Sequence, residues 1–213
     1  SVNKGAWDRS QGVERDHEFV MEWLAACRRV MKPDATIWVS GTHHIIYSVG
    51  FAMQKLGFKI LNDIVWYKIN PPPNLSCRYF THATEIVLWA ARSAASRHVF
   101  NYEEMKRLDN SPFDGPGRQM KSIWAIPPPG KEEKTFGKHP TQKPIRLLDR
   151  IIRASTVEGD LILDPFIGSG TTAIAAASNG RACVGIEIEQ DYLALAALRL
   201  EEAAMRPRLT LPG

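Results

Sequence analysis

Cysteine is scarce in this 213-residue chain. Cys27, Cys77 and Cys183 are three, far apart and odd in number. That argues against a disulfide framework and against a CxxC metal site, so no metal is expected and a reducing, cytoplasmic setting is the simple reading. Long apolar runs are absent as well: no stretch of the 18 or so residues that a bilayer demands is apolar throughout. Ser1 to Ser10 is polar and mixed and does not read as a secretory signal. No internal repeat or low-complexity segment appears. No lysine follows Gly168 and Gly170, which excludes the phosphate-binding loop GxxxxGK[ST] at that turn.

What is present is ordinary for a folded domain: 44% hydrophobic and 23% charged residues, ample for a core. The length suits one large domain or one domain with an elaborated loop. The net charge is +4, unevenly spread. Between Arg97 and Arg146 ten basic residues stand against six acidic ones, and the rest of the chain balances. A basic excess confined to a loop-rich quarter suits a polyanion, and equally a solvated surface loop.

The apolar pattern predicts a helix over 14–31, with Phe19, Val20, Trp23, Leu24, Cys27, Val30 and Met31 on one stripe. Strand "TIWVS" (36–40) follows, then a helix over 43–58 closed by Gly57. "KILNDIVWYK" and "ATEIVLWAAR" read as strands. Between them "NPPPNLSC" fits neither helix nor central strand, because prolines remove donors and fix φ. Residues from about 97 to 139 show no period. A helix over 143–155 turns Leu147, Leu148, Ile151 and Ile152 inward. Strand "DLILD", a helix from Thr171, strand "RACVGIE" and helix "QDYLALAALRLEEAAM" complete the chain. Alternating strands and helices predict a doubly wound, mostly parallel α/β sheet.

Such sheets bind ligands at the carboxyl ends of their strands. In "LILDPFIGSGTT" Asp164 ends a strand, and Gly168 and Gly170 let backbone donors face a ligand at a helix N-terminus. Glu187 ends the next strand, 19 residues after Gly168, placed to accept the hydroxyls of a ribose. This describes a nucleoside-containing cofactor. Gly168-Ser-Gly170-Thr-Thr-Ala173 also fits GxGxxG/A, so a nicotinamide-dependent oxidoreductase stays open beside S-adenosylmethionine chemistry.

"DPFIGSGTT", preceded by "KHPTQKP" (Lys138–Pro144), resembles the amino-methyltransferases that modify DNA. The glycine turn lies near the C-terminus, behind the long loop, an order similar to the β class. "GAWD", "SGTHHIIYSVGFAMQ" and "LNDIVWYKINPPPNLSCRYFTHATEIVLWAAR" are similar to adenine-N6 methyltransferases of DpnII-type restriction systems, and the likeness covers essentially the whole chain. The resemblance implies a Rossmann-like methyltransferase fold, S-adenosylmethionine as cofactor and a short DNA site as substrate, and it extends to a homodimer. It places Asp164, Phe166, Gly168, Ser169, Gly170, Thr171, Glu187, His139, Thr141, Gln142 and Lys143 at the cofactor. The plainer reading of "KHPTQKP" is a helix start, with Thr141 as cap and Gln142 and Lys143 exposed.

The family also uses [DNS]PP[YFW], which orients the target amine and stacks the base. No such tetrapeptide occurs; Asn70-Pro71-Pro72-Pro73 comes nearest but lacks the ring. The resemblance puts the catalytic motif, with two further strands, upstream of Ser1, so no catalytic residue is assigned. Asn70, Pro71, Arg78 and Phe80 are expected on the target-base side, with Phe80 as core the competing view. Arg107, Arg118 and Lys121 are expected to contact DNA. The division expected is 1–96 for the catalytic side, 97–136 for target recognition and 137–213 for the cofactor. Cytosine-N4 methylation and a non-catalytic nucleic-acid-binding fragment are the alternatives.

Overall fold

The structure, a computed structural model, describes residues 9–205; "GAWD" lies outside them. The chain forms two compact units, one running up to Val99 and including Lys121–Ala125, the other made of Phe100–Met120 and the chain from Ile126 on.

The first unit contains α1 (Val13–Val30), β1 (Thr36–Gly41), α2 (Ile46–Lys55), β2 (Lys59–Tyr67), β3 (Thr84–Ala91) and β4 (Ile123–Ala125). The strands form one sheet in the order β1-β3-β2-β4. It is mixed, with more antiparallel pairing in this unit than the mostly parallel sheet expected. β3 runs antiparallel to both β1 and β2, and only the β2–β4 pair is parallel. The connection agrees with this: residues 68–83 contain no helix, and a parallel crossover usually runs through one. The pairs Gly41↔Ile86, Tyr67↔Thr84 and Tyr67↔Ala125 bring the carboxyl ends of β1, β2 and β4 to one edge of the sheet.

Val20 and Leu24 of α1 and Ile46, Val49, Ala52 and Met53 of α2 pack with Phe58, Leu88 and Ala90. The predicted stripe on α1 is too wide. Phe19 and Val30 lie on its flanks and are 57% and 60% exposed. α2 ends as its glycine predicts. Gly57 takes φ 78°, its N–H reaches the carbonyl of Gln54, and the Phe58 N–H reaches that of Met53. This pair of bonds closes a helix on a left-handed glycine, and Phe58 returns to the core. Trp38 stacks on Trp89 with centroids 4.8 Å apart, within the same sheet.

The second unit contains α3 (Tyr102–Arg107), α4 (Ile145–Ser155), β5 (Leu161–Asp164), α5 (Thr171–Ser178), β6 (Ala182–Gly185) and α6 (Gln190–Met205). β5 and β6 are parallel, in register from Leu161↔Ala182 to Asp164↔Gly185. Ile152 of α4 packs with Ala175 and Ala176 of α5, with Leu148, Ile162 and Cys183 beside them. The small residues of α5 allow that close approach. On the other face of this sheet Leu161, Leu163, Val184 and Ile186 are exposed.

The stretch expected to be irregular holds two elements, α3 and β4. Ser122 accepts the Val65 N–H at 2.8 Å and starts β4 along β2. Three residues are too few to produce a readable alternation. The bend that follows α3 is anchored by α4. Arg150 donates to Asn110 Oδ1 at 3.0 Å and to the Asp109 carbonyl at 2.9 Å, and Asn110 donates to Asp114 Oδ2 at 3.1 Å. Burial, then the nearby Arg146, lowers the Arg150 guanidinium to about 10, and it keeps its charge at neutral pH.

Candidate functional site

The turn after β5 is built around two carboxylates. Asp164 accepts the Phe166 N–H at 3.0 Å and the Thr172 hydroxyl at 2.5 Å, which ties the strand end to the first turn of α5. Glu187, just past β6, accepts the Gly168 N–H at 2.9 Å on one oxygen. Its other oxygen accepts the N–H groups of Ile188 at 2.9 Å and Glu189 at 3.0 Å. The carboxylate therefore joins the turns that leave two neighbouring strands. Three donors fill most of its roughly four acceptor positions, leaving about one for a ligand.

The glycines have distinct reasons. A Cβ on Gly170 would stand 2.9 Å from Ala196 Cβ and 3.1 Å from its Cα, so Gly170 is needed for α6 to pass. A Cβ on Gly168 would meet the His139 ring at 3.1 Å. Both also hold positive φ, 50° at Gly168 and 78° at Gly170. Ser169 and Thr171 are buried, with the Arg199 guanidinium donating to the Ser169 carbonyl and, at 3.1 Å, to the Thr171 hydroxyl. Arg199 was missed as part of this site. Its signal was an arginine four residues after Leu195 and three after Ala196, on the apolar side of α6. Beside these buried groups Phe166 is 56% and Ile188 82% exposed, at the carboxyl ends of adjacent strands.

"KHPTQKP" is a support for this turn. The His139 ring stands edge-on to Tyr192 at 4.2 Å, and its Nδ1 lies 3.2 Å from both the N–H and the hydroxyl of Thr141. The plainer reading of the motif fails in two places. α4 begins at Ile145, and Thr141 makes no cap to it; the Ile145 N–H is capped by Glu133 at 2.9 Å. Gln142 is buried, and its amide donates to the Glu133 carbonyl at 2.8 Å. Lys143 is half-buried. Burial raises the Glu133 carboxyl above its ordinary value, against the cap bond to Ile145 and the nearby Arg199.

In the first unit the proline segment leaves β2 at the shared sheet edge. Asn74 organises it, accepting from the Ser76 N–H and hydroxyl and donating to the Tyr79 carbonyl at 2.6 Å. Asn70 and Arg78 are exposed, Pro71 is half-buried, and Phe80 is 95% exposed, which removes the view of Phe80 as core. Arg107, Arg118 and Lys121 are exposed. The expected cofactor residues thus gather in one unit. The expected DNA residues divide, with Asn70, Pro71, Arg78, Phe80 and Lys121 in the first unit and Arg107 and Arg118 in the second. Among the described residues no cluster suited to a metal ion occurs, and no helix is long and apolar enough to cross a membrane.

Residues 1–198 match the model of a family described as DNA methylase, of the N6/N4 type. Type II methyltransferase M2.DpnII of Streptococcus pneumoniae is 53% identical over 202 residues, 94% of this chain and 73% of that protein. M2.LlaDCHI of Lactococcus lactis subsp. cremoris is 53% identical over 205 residues, 96% of this chain and 74% of that protein. Among solved structures, M1.HpyAVI in complex with SAM superposes with a TM-score of 0.72 at 30% identity, covering 89% of this chain and 85% of the other. The cytosine-N4-specific PvuII DNA methyltransferase gives 0.70 at 21% identity, covering 92% and 78%, a likeness of fold alone.

The Glu133 cap generates a test. Glu133→Ala removes the acceptor and lowers unfolding stability by about 1 kcal/mol, as lost helix caps do, while Glu133→Gln retains a carbonyl oxygen for Ile145. Because the folded carboxyl titrates above its ordinary value, it stabilises the fold most when protonated. Wild-type stability relative to Glu133→Gln is therefore highest at acid pH and falls as pH rises through the carboxylate range. Urea unfolding at several pH values reads the difference; a difference that grows with pH contradicts the assignment.

Proposed function

This chain belongs to the N6/N4 DNA methylase family, S-adenosylmethionine-dependent enzymes that act on DNA, and from that premise we propose that it methylates the exocyclic N6 of adenine in a short DNA site. The adenine target rests on the segments shared with DpnII-type adenine enzymes. The cytosine-N4 alternative shares the family model, which spans both targets, but not those segments.

The residues after β5 and β6 fit an S-adenosylmethionine molecule. The observation that carries this is the Glu187–Gly168 hydrogen bond at 2.9 Å, which holds a carboxylate at a strand end with an acceptor position to spare. A ribose hydroxyl fills that position. Phe166 and Ile188, exposed on either side in sequence, offer apolar surface to the adenine ring. The backbone from Gly168 to Thr171 cradles the methionine part, and Thr141 and Lys143 meet its carboxylate. Asp164, His139 and Gln142 hold these groups in place through Thr172, Gly168 and Glu133. When bound, S-adenosylmethionine supplies a methyl group activated by its sulfonium.

On the DNA side, residues 97–136 form the recognition region, with Arg107, Arg118 and Lys121 at phosphates or base edges. Asn70, Pro71, Arg78 and the exposed Phe80 line the target-base side, where three consecutive prolines stiffen the backbone. The cytoplasmic location follows from the substrate, and the resemblance extends to a homodimer, which sedimentation reads directly.

Protein that includes the catalytic motif expected upstream of Ser1, labelled S-adenosylmethionine and a duplex containing GATC, the short adenine site that the DpnII-type resemblance suggests, test the target. The label is expected in N6-methyladenine after digestion to nucleosides; label in N4-methylcytosine overturns the adenine reading. Glu187→Ala is expected to weaken S-adenosylmethionine binding about tenfold or more, the scale of a charged hydrogen bond. Unchanged calorimetric affinity in a variant with intact circular dichroism removes Glu187 from the site. Reversing the charge at Arg118 and Lys121 lowers DNA affinity and reduces the slope of log affinity against log salt by about one unit per lost phosphate contact. An unaltered slope counts against the recognition region.

A further inference from the structure

At the sheet edge of the first unit four rings follow one another in space. Tyr79 lies 5.3 Å from His82, His82 stacks on His43 at 4.6 Å and 17°, and His43 lies 3.9 Å from His44. They come from two separate segments, the loop after β1 and the segment entering β3. All four are exposed. His43 and His82 also wall a cavity of about 230 Å³ with Tyr47, Thr84, Glu85 and Ile86. The Glu85 carboxylate there is compensated by the Lys68 ammonium at 2.5 Å. Tyr47, at the mouth, is 75% exposed.

Three imidazoles so close repel one another when charged. Slight desolvation by its neighbours, then repulsion from His44 and His82, holds the exposed His43 imidazole below its ordinary value. His43, in contact with both other imidazoles, therefore favours its uncharged form, and the patch presents flat rings to solvent. Such rings suit flat, polarisable, uncharged partners rather than phosphates, whose recognition calls on Lys, Arg or protonated His. A nucleobase also has polar edges, and Thr84, exposed in the same cavity, offers a hydroxyl oxygen to an exocyclic amine.

We propose that Tyr79, His82, His43 and His44 form a stacking platform for an unstacked nucleobase of the substrate strand, with the adjoining cavity receiving its edge. The proposal rests on the DNA-substrate reading above and adds a base-binding surface to it. The base is the target itself or one beside it, since both lose their stack when a nucleotide is extruded.

The full chain and its His43→Ala/His82→Ala and His43→Phe/His82→Phe variants are titrated with a fluorescent GATC duplex at several salt concentrations. Base stacking predicts that the alanine variant binds about tenfold or more weakly, the scale of a lost base–ring stack. The phenylalanine variant keeps wild-type affinity, and the salt slope is the same in all three. A phenylalanine variant that loses affinity together with about one unit of salt slope identifies a phosphate contact and overturns the platform. Equal affinity in all three chains overturns it as well. Abasic substitution at the target adenine, or at the neighbouring nucleotide, tells which base is held: the alanine penalty vanishes for the position that stacks. Wild-type chain that binds neither duplex nor S-adenosylmethionine removes the methyltransferase reading itself, and the platform with it.

Discussion

The second unit turns on one carboxylate. Glu187 sits where β6 ends and reaches back to the turn that leaves β5, taking one backbone donor from that turn and two from its own. Charged hydrogen bonds of this kind contribute roughly 1.5–3 kcal/mol each, enough to fix a loop that has few side chains of its own. Everything placed near it inherits that fixity. Gly168 is free of a Cβ so that His139 can back the turn, Gly170 is free of one so that α6 can pass, and Arg199 fills the space beneath. The turn is thin because it is packed from behind, and its own donors help to hold it, the Gly168 N–H on Glu187 and the Gly170 N–H on the Ile167 carbonyl.

That arrangement explains what was legible in the sequence and what was not. Every strand and helix of the second unit from α4 onward follows its apolar pattern, because short βα connections punctuated by Gly and Asp-Pro leave little ambiguity. The roles inside "GSGTT" were less legible. Glycine permits close approach from either side, and spacing cannot distinguish a ligand in front from a helix behind. Here Ala196 stands behind Gly170, at a distance only the folded α6 reveals. Arg199, Glu133 and Arg150 were hidden for a related reason. Each is a charged residue whose partners lie far off in sequence, and a charge reads as surface until its partner is known.

The first unit shows the opposite bias. Its strands were readable, but their directions were not. β2 and β3 are joined by a proline segment with no helix, so the chain turns back on itself and β3 runs antiparallel between two neighbours. The expectation of a mostly parallel sheet extrapolates from the alternation elsewhere. β4 escaped notice because three residues carry no period; its identity comes from pairing with β2 and not from its own composition. The histidines were visible as letters in "SGTHHIIYSVG" and "FTHATEI", yet nothing in either segment announces the other. Only the register of β1 against β3, with Gly41 opposite Ile86, brings the two loops to the same edge.

The two units divide the physical work accordingly. Around Glu187 the polar groups are paired to backbone and to one another, so a ligand meets a surface whose geometry is already set. At the sheet edge of the first unit the polar organisation is local: Asn74 ties its own turn from Ser76 to Tyr79 and leaves Phe80 and Leu75 in solvent, 95% and 90% exposed. Large apolar side chains held out on a stiff, proline-bounded turn bury nothing of their own chain, and the free energy of covering them is not gained in folding. A flat apolar partner that covers them recovers that free energy on binding. On the target-base reading proposed above, a nucleobase leaving its stack has lost comparable contacts, so the two exposures would offset one another and part of the cost of extruding the base would be met there.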